Sequence, residues 1–181
     1  KKLFFFDNLD LNLKFCKKEG LKNDQVVLHL ITDGRDDDPE SGITFLAEVA
    51  EKMNLSHIIN VQGDEPFIQP ADIDAVAASL LENPENLVTL KCCITNAAEL
   101  KDPSVVKVVT ANQGHALYFS RAPIPFSRDH SATIPYAFKH IGVYGYTMDT
   151  LRRLTSSPPH ELEQIESLEQ LRALAMGITI K

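Results

Sequence analysis

The sequence predicts an α/β protein: a mostly parallel sheet covered by helices, with one antiparallel hairpin. Three observations predict it. Continuous β-branched runs alternate with stretches whose apolar residues recur every three or four positions. Gly, Pro, Asp and Asn gather at the junctions. A chain of 181 residues that is 44% hydrophobic is long enough to bury one core, so 1–181 reads most simply as a single domain.

The elements follow in order. In "LDLNLKFCKKEG" Leu9, Leu11, Leu13 and Phe15 alternate like a strand, but "FCKKEG" ends like a helix capped by Gly20, and a helix is the expectation. "QVVLHLI" (25–31) is a strand, and "TDGRDDDPESG" is a loop. In "GITFLAEVAEKM", Ile43, Leu46, Val49, Ala50 and Met53 share a helical face. "HIINV" (57–61) is the next strand. A helix opens near Pro70 and buries Ile73, Val76, Ala77, Leu80 and Leu81.

"LVTLKCCI" (87–94) is a strand, and Asn96 with Glu99 spells a capping box for one helical turn. "VVKVVT" and "HALYFS" flank "ANQG" as a hairpin, with Lys107 alternating out toward solvent. The proline-rich "RAPIPFSRDHSATIP" is irregular. "FKHIGVYGYT" is a strand. From Glu161 to Met176 one helix is expected, with Leu162, Ile165, Leu168, Leu171 and Ala175 on one face and Gly177 as its stop. "ITIK" reads as a final strand.

Composition bounds the function. A net charge of −7 without a Lys/Arg stripe argues against a nucleic-acid partner, so an anionic substrate must be held by local arginines, helix ends or a metal. No apolar run approaches a membrane span, and "KKLFFFDN" is too short for a secretory signal. Cys16, Cys92 and Cys93 carry no metal-binding spacing and read as buried reduced thiols, which implies the cytoplasm.

"IINVQGDEPFI" (58–68) stops an apolar strand with adjacent acids. In open α/β sheets ligands collect beyond the carboxyl ends of strands. A carboxylate at Asp64 suits a hard divalent cation bridged to phosphates, Gln62 offers an amide, and Gly63 admits a close ligand. The same letters also describe an acidic surface turn.

"NVQGDEP" (60–66), "VKVV" (106–109), "ALYFSRAPIP" (116–125), "HIGVYGY" (140–146) and "LEQIESLEQLRAL" (162–174) together resemble the 3-deoxy-manno-octulosonate (Kdo) cytidylyltransferase family, the CMP-Kdo synthetases, over residues 57–181. The resemblance implies a Rossmann-like nucleotidyltransferase three-layer fold and a homodimer. It implies transfer of CMP from CTP to Kdo with release of pyrophosphate, in lipopolysaccharide precursor synthesis, with Mg²⁺. By the same resemblance Asp64 is the metal-binding aspartate and Gln62 lies against sugar or nucleotide. Arg121 takes the Kdo carboxylate through a forked pair of hydrogen bonds. His140, Tyr144, Glu166, Glu169 and Gln170 line the sugar, with Ser120 beside them. Taken singly, these residues read as a surface arginine, a packed strand histidine, a core tyrosine and a solvated helix face.

The front of the family pattern departs. Its Arg- and Pro-containing loop ending in Pro-Gly-Lys, which cradles the CTP phosphates, has no match, so turnover by this stretch alone is not expected. Where the family carries Ser-Gly-Thr-acid-Arg, Ser41 and Gly42 are followed by Ile43, Thr44 and Phe45. A late metal-completing aspartate would fall beyond Lys181. Residues 13–46 instead resemble the DGRD segment of cofactor-independent phosphoglycerate mutase, which makes Arg35 and Asp36 alternative phosphoglycerate-binding residues, with Asp33 and His29 nearby. The expectation is therefore a hybrid chain, mutase-like over 1–56 and cytidylyltransferase-like over 57–181. A phosphoglycerate-binding isomerase piece and a folded hybrid without turnover stand as alternatives.

Overall fold

The computed structural model describes residues 2–5, 14–17, 29–32, 39–63, 65, 67–84, 86–128 and 137–181. Two compact units divide the chain: Lys1–Val88 with Gly142–Pro158, and Thr89–Ile141 with Pro159–Lys181.

In the first unit β1 (Lys2–Phe5) pairs antiparallel with β2 (Lys14–Lys17), Leu3 opposite Cys16. A strand stands at Lys14–Lys17 where a helix was expected. The two-residue alternation ending at Phe15 governs there, because it is a strand's period and outweighs a Gly20 signal that caps only a helix already formed. Strand β3 (His29–Thr32) feeds α1 (Pro39–Lys52), which returns the chain to β4 (His57–Gln62), parallel to β3 with His29 opposite Ile59. Helix α1 buries Ile43, Leu46, Ala47 and Ala50.

Helix α2 (Pro70–Glu82) starts on Pro70, with Gln69 and Asp72 forming its capping box, and buries Val76, Ala77 and Leu80, while Leu81 is exposed. Burying each of the larger of these side chains contributes about 1.5–3 kcal/mol. Val88, the first residue of β5 (Val88–Cys93), joins this core. Strand β8 (Phe138–Thr147) contributes its C-terminal half, antiparallel to β4 with Ile59 opposite Gly145 and Val61 opposite Val143. Its Gly145 is required by close approach: a β-carbon there would lie 2.9 Å from Val76 and 3.4 Å from Leu80. Helix α4 (Met148–Thr155), not anticipated from the sequence, is capped by Thr147 and buries Met148, Leu151 and Leu154.

The second unit holds the rest of β5, whose end leaves Cys92 and Cys93 exposed rather than buried as expected, then α3 (Ala97–Lys101), where Asn96 accepts from Ala98 N at 2.9 Å. The hairpin is present: β6 (Lys107–Thr110) and β7 (Ala116–Ser120) pair antiparallel around a turn in which Gly114 takes φ 89°. Strand β6 also pairs antiparallel with the start of β8, and β5 pairs with β8. The "ITIK" segment makes one bridge at Ile180, whose carbonyl accepts from Ala116 N at 2.8 Å.

Of the described registers only β3 with β4 is parallel, so the expectation of a mostly parallel sheet is corrected. The reason is connectivity. Only β3–α1–β4 joins two neighbouring strands through a crossover helix, whereas β6–β7 is a hairpin and β8 returns against both β4 and β6.

The expected helix over 161–176 is two: α5 (Glu161–Glu166) and α6 (Gln170–Ala175). Ser167 between them takes a left-handed φ of 52°, which shifts the phase. Ile165 and Leu162 are consequently exposed, and Glu163, Gln170 and Arg172 are buried with Leu168 and Leu171.

Candidate functional site

Within the first unit the acidic bend leaves β4 as a closed turn, Glu65 N donating to Gln62 O at 3.1 Å. The Glu65 carboxylate reaches back to β8, where its Oε1 accepts the Gly142 N–H at 3.0 Å. Gln62 lies over the same glycine. A β-carbon on Gly142 would collide with Gln62 Oε1 and stand 3.0 Å from its Cδ. Two residues of the motif are thus seated on one residue of the neighbouring strand. Asp64, like Arg35, Asp36 and Asp33, lies outside the described residues.

Tyr144 is buried on β8, its ring stacked on Tyr146 at 6.0 Å. Opposite it on β4 sits Asn60, whose side-chain Oδ1 is buried with no hydrogen-bond partner among the described residues. Such an orphan acceptor costs about 1–3 kcal/mol and tends to mark a functional position. Its only sequence signal was a polar residue in the middle of the apolar run "HIINV".

In the second unit Glu166 is the centre of a second cluster. Its Oε1 accepts from Ser120 Oγ at 2.6 Å, and its Oε2 accepts from Arg121 N at 2.9 Å. The Arg121 guanidinium donates to three main-chain carbonyls: Nε to Glu166 at 2.7 Å, Nη1 to Pro103 at 3.0 Å and Nη2 to Ser167 at 3.2 Å. A guanidinium has five N–H donors, so three are spent and two have no partner among the described residues.

Lys107, opposite Ser120 in the hairpin, is fully buried rather than solvent-facing. Its Nζ donates to the Asp102 carbonyl at 2.8 Å and the Val105 carbonyl at 2.6 Å. Burial lowers its pKa and nearby Arg121 adds to this, while Asp102 and Glu166 oppose it. The two available carbonyls explain why a lysine is tolerated inside the strand.

His140 donates to or accepts from Thr89 Oγ1 through Nε2 at 2.8 Å and meets the Phe119 ring edge-to-face at 5.2 Å. Burial pushes its pKa down to about 3, so the ring is neutral at physiological pH. Glu169 is the opposite case. Burial above all, with a push from Glu163 and a partial offset by Arg172, raises its pKa to about 7. Arg172 and Glu163 form a buried two-bond ion pair, Nε to Oε2 at 2.7 Å and Nη2 to Oε1 at 2.6 Å, that ties α6 to α5. Gln170 is buried beside them in the sequence.

The structure therefore gathers Ser120, Arg121 and Glu166 in direct contact, and in the same unit describes His140, Glu169 and Gln170. Gln62 and Tyr144 belong to the first unit. Sequence reading missed Lys107, Glu163 and Arg172 as buried groups, although all three sit inside the quoted motifs. Among the described residues no three His, Cys, Asp or Glu side chains converge as a metal cluster, and no helix is long and apolar enough to cross a membrane.

Comparison with known proteins identifies the pattern. A family model described as cytidylyltransferase matches residues 26–180, a stretch that takes in β3 and α1 as well as the later motifs. The 3-deoxy-manno-octulosonate cytidylyltransferase of Solibacter usitatus (strain Ellin6076) is 51% identical over 142 residues, 78% of this chain and 56% of that protein. The enzyme of the same name from Geobacter sulfurreducens is 46% identical over 154 residues, 80% of this chain and 62% of that protein. The chain thus spans between 56% and 62% of the length of these relatives. A solved structure of CMP:2-keto-3-deoxy-manno-octonic acid synthetase complexed with CTP has the same mixed α/β fold, with TM-score 0.74 and 36% identity over 87% of this chain and 70% of that one.

Proposed function

The chain belongs to the cytidylyltransferase family, and on that premise we propose that it is part of an enzyme that transfers CMP from CTP to Kdo with release of pyrophosphate. The observation that carries this reading is the seating of two residues of the acidic motif: Glu65 is bonded to Gly142 and Gln62 is packed on it, so both are fixed against β8. One carboxylate of the turn is already occupied with a main-chain N–H. Asp64 is then the acid left for Mg²⁺, which takes one or two protein carboxylates and fills its shell with phosphate oxygens and water. When bound, the metal supplies charge neutralisation at the phosphate oxygens.

The remaining roles follow from chemistry. Attack by the anomeric hydroxyl of the sugar on the α-phosphorus expels pyrophosphate, and fixed donors favour the charge that develops. Arg121 offers its two unspent N–H groups to the sugar carboxylate. Neutral His140 and Tyr144 address hydroxyls, Glu169 is partly protonated near neutrality and so can donate as well as accept, and Gln62 and Gln170 supply amides. Ser120 and Glu166 hold Arg121 in place. A cytoplasmic, homodimeric enzyme without nucleic-acid partners completes the reading. It is supported by the free thiols of Cys92 and Cys93, by exposed Ile165 and Leu117 and by the net charge of −7.

The test is CTP binding by titration calorimetry with and without Mg²⁺, for the chain and for Asp64→Asn, followed by pyrophosphate release on adding Kdo. Mg²⁺-dependent CTP binding that Asp64→Asn weakens at an unchanged fold is expected. CTP binding indifferent to both metal and Asp64 would falsify the assignment.

A further inference from the structure

We propose that Lys107 is a positioning residue for Arg121, acting through the main chain of residues 102–105; the consequence for substrate rests on the function proposed above. The ammonium bonds the carbonyls of Asp102 and Val105, which are the two ends of this short segment. Between them lies Pro103, whose carbonyl accepts Arg121 Nη1 at 3.0 Å. The guanidinium is thus held from two sides: Glu166 O and Ser167 O take Nε and Nη2, and the segment fastened by Lys107 takes Nη1.

Three further facts support the chain of contacts. Lys107 is fully buried, so its charge has no water to lean on and the two carbonyls are structural partners of a kind that solvent would not replace. Ser120 stands opposite Lys107 in the hairpin register and immediately precedes Arg121, so one strand pair carries both ends of the device. Ser104 N and Oγ bond the Asp102 carboxylate at 2.8 and 2.7 Å, which stiffens the segment independently of Lys107. A segment fastened at both ends and braced inside presents the Pro103 carbonyl at a fixed place. The two unspent Arg121 N–H groups are then directed by geometry before any anion arrives, which is what forked recognition of a carboxylate requires.

The experiment follows the Arg121 side-chain Nε–H in proton–nitrogen spectra of the full chain, together with Kdo and CTP titrations. Lys107→Met keeps the length and apolar stem and removes the ammonium. Solvent exchange of the Arg121 Nε–H is expected to rise about tenfold, and Kdo affinity to fall about tenfold with CTP affinity unchanged, the equivalent of one hydrogen bond. If Lys107→Met does not fold, Pro103→Gly at an exposed position loosens the same segment with Lys107 intact and is expected to give the same spectral change. An unaltered Arg121 signal in the folded variant overturns the proposal. An altered signal in a chain that binds no Kdo at all sustains the positioning role and overturns the functional reading instead.

Discussion

The side-chain amide of Gln62 fills the space over Gly142 in which a β-carbon would sit. Any residue but glycine at 142 therefore moves Gln62 or moves β8. Gly142→Ala is expected to cost about 1–3 kcal/mol through overpacking and to weaken ligand binding at the acidic turn. Urea denaturation alongside CTP titration measures both; a variant as stable as the parent with unchanged affinity would show the seat to be dispensable.

Glu65 is expected to act as an anchor rather than a metal ligand, since its Oε1 takes the Gly142 N–H. Glu65→Gln retains an acceptor and is expected to behave like the parent, while Glu65→Ala loses about 1 kcal/mol and speeds hydrogen exchange at Gly142. Equal exchange rates in the two variants would release Glu65 from this role.

Glu163 and Arg172 are each about 5% exposed and pair through two hydrogen bonds. Removing one charge takes from the other its two-bond partner in a buried place, so Glu163→Gln is expected to cost about 3–5 kcal/mol. The double change Glu163→Leu with Arg172→Met is expected to cost less than either single change. Additive losses in equilibrium unfolding would contradict a coupled pair.

The pH dependence of stability carries two opposed contributions. Glu169 has a folded pKa of about 7 against 4.5 for a solvated glutamate, so the native state holds more protons between those values and stability falls as pH rises through that window. At about 1.4 kcal/mol per pH unit the window amounts to about 3 kcal/mol. His140 runs the other way: its folded pKa of about 3 lies below the ordinary 6.5, so its contribution is present above 6.5 and is lost as pH falls toward 3. The two slopes cancel between pH 4.5 and 6.5, so the parent is expected to be nearly flat there, whereas Glu169→Gln is expected to gain stability steadily up to pH 6.5. Denaturation midpoints across pH 3 to 8 check this, and a profile still flat between pH 4.5 and 6.5 in Glu169→Gln would assign the compensation elsewhere.

What the letters disclosed was mostly local. The hairpin was legible because "ANQG" joins two apolar runs, and β8 because its ten residues are rich in β-branched and aromatic side chains and carry no proline, despite Gly142 and Gly145. Helix α4 had a readable signal, Thr147 as cap with Met148, Leu151 and Leu154 three apart, which a short polar helix concealed. The antiparallel placing of β8 was not legible, since strand order depends on which distant runs meet. Lys107 was misread because alternation assigns faces and cannot tell that a face is covered. The split at Ser167 was hidden by Leu162, Ile165 and Leu168, whose spacing imitates one long helix. Of the candidate residues, the contact of Ser120, Arg121 and Glu166 joins positions 45 apart or more, a distance that only the resemblance could bridge.

The left-handed turn at Ser167 sets a rule for how the family's sequences can drift. An unbroken helix would draw the carbonyls of Glu166 and Ser167 into its own ladder, and it is the interruption that frees them to receive Arg121. Position 167 should therefore admit glycine, asparagine or aspartate with little penalty and refuse valine and isoleucine, whose branching resists that backbone. A homologue found with a branched residue there would have had to re-anchor its arginine by other means.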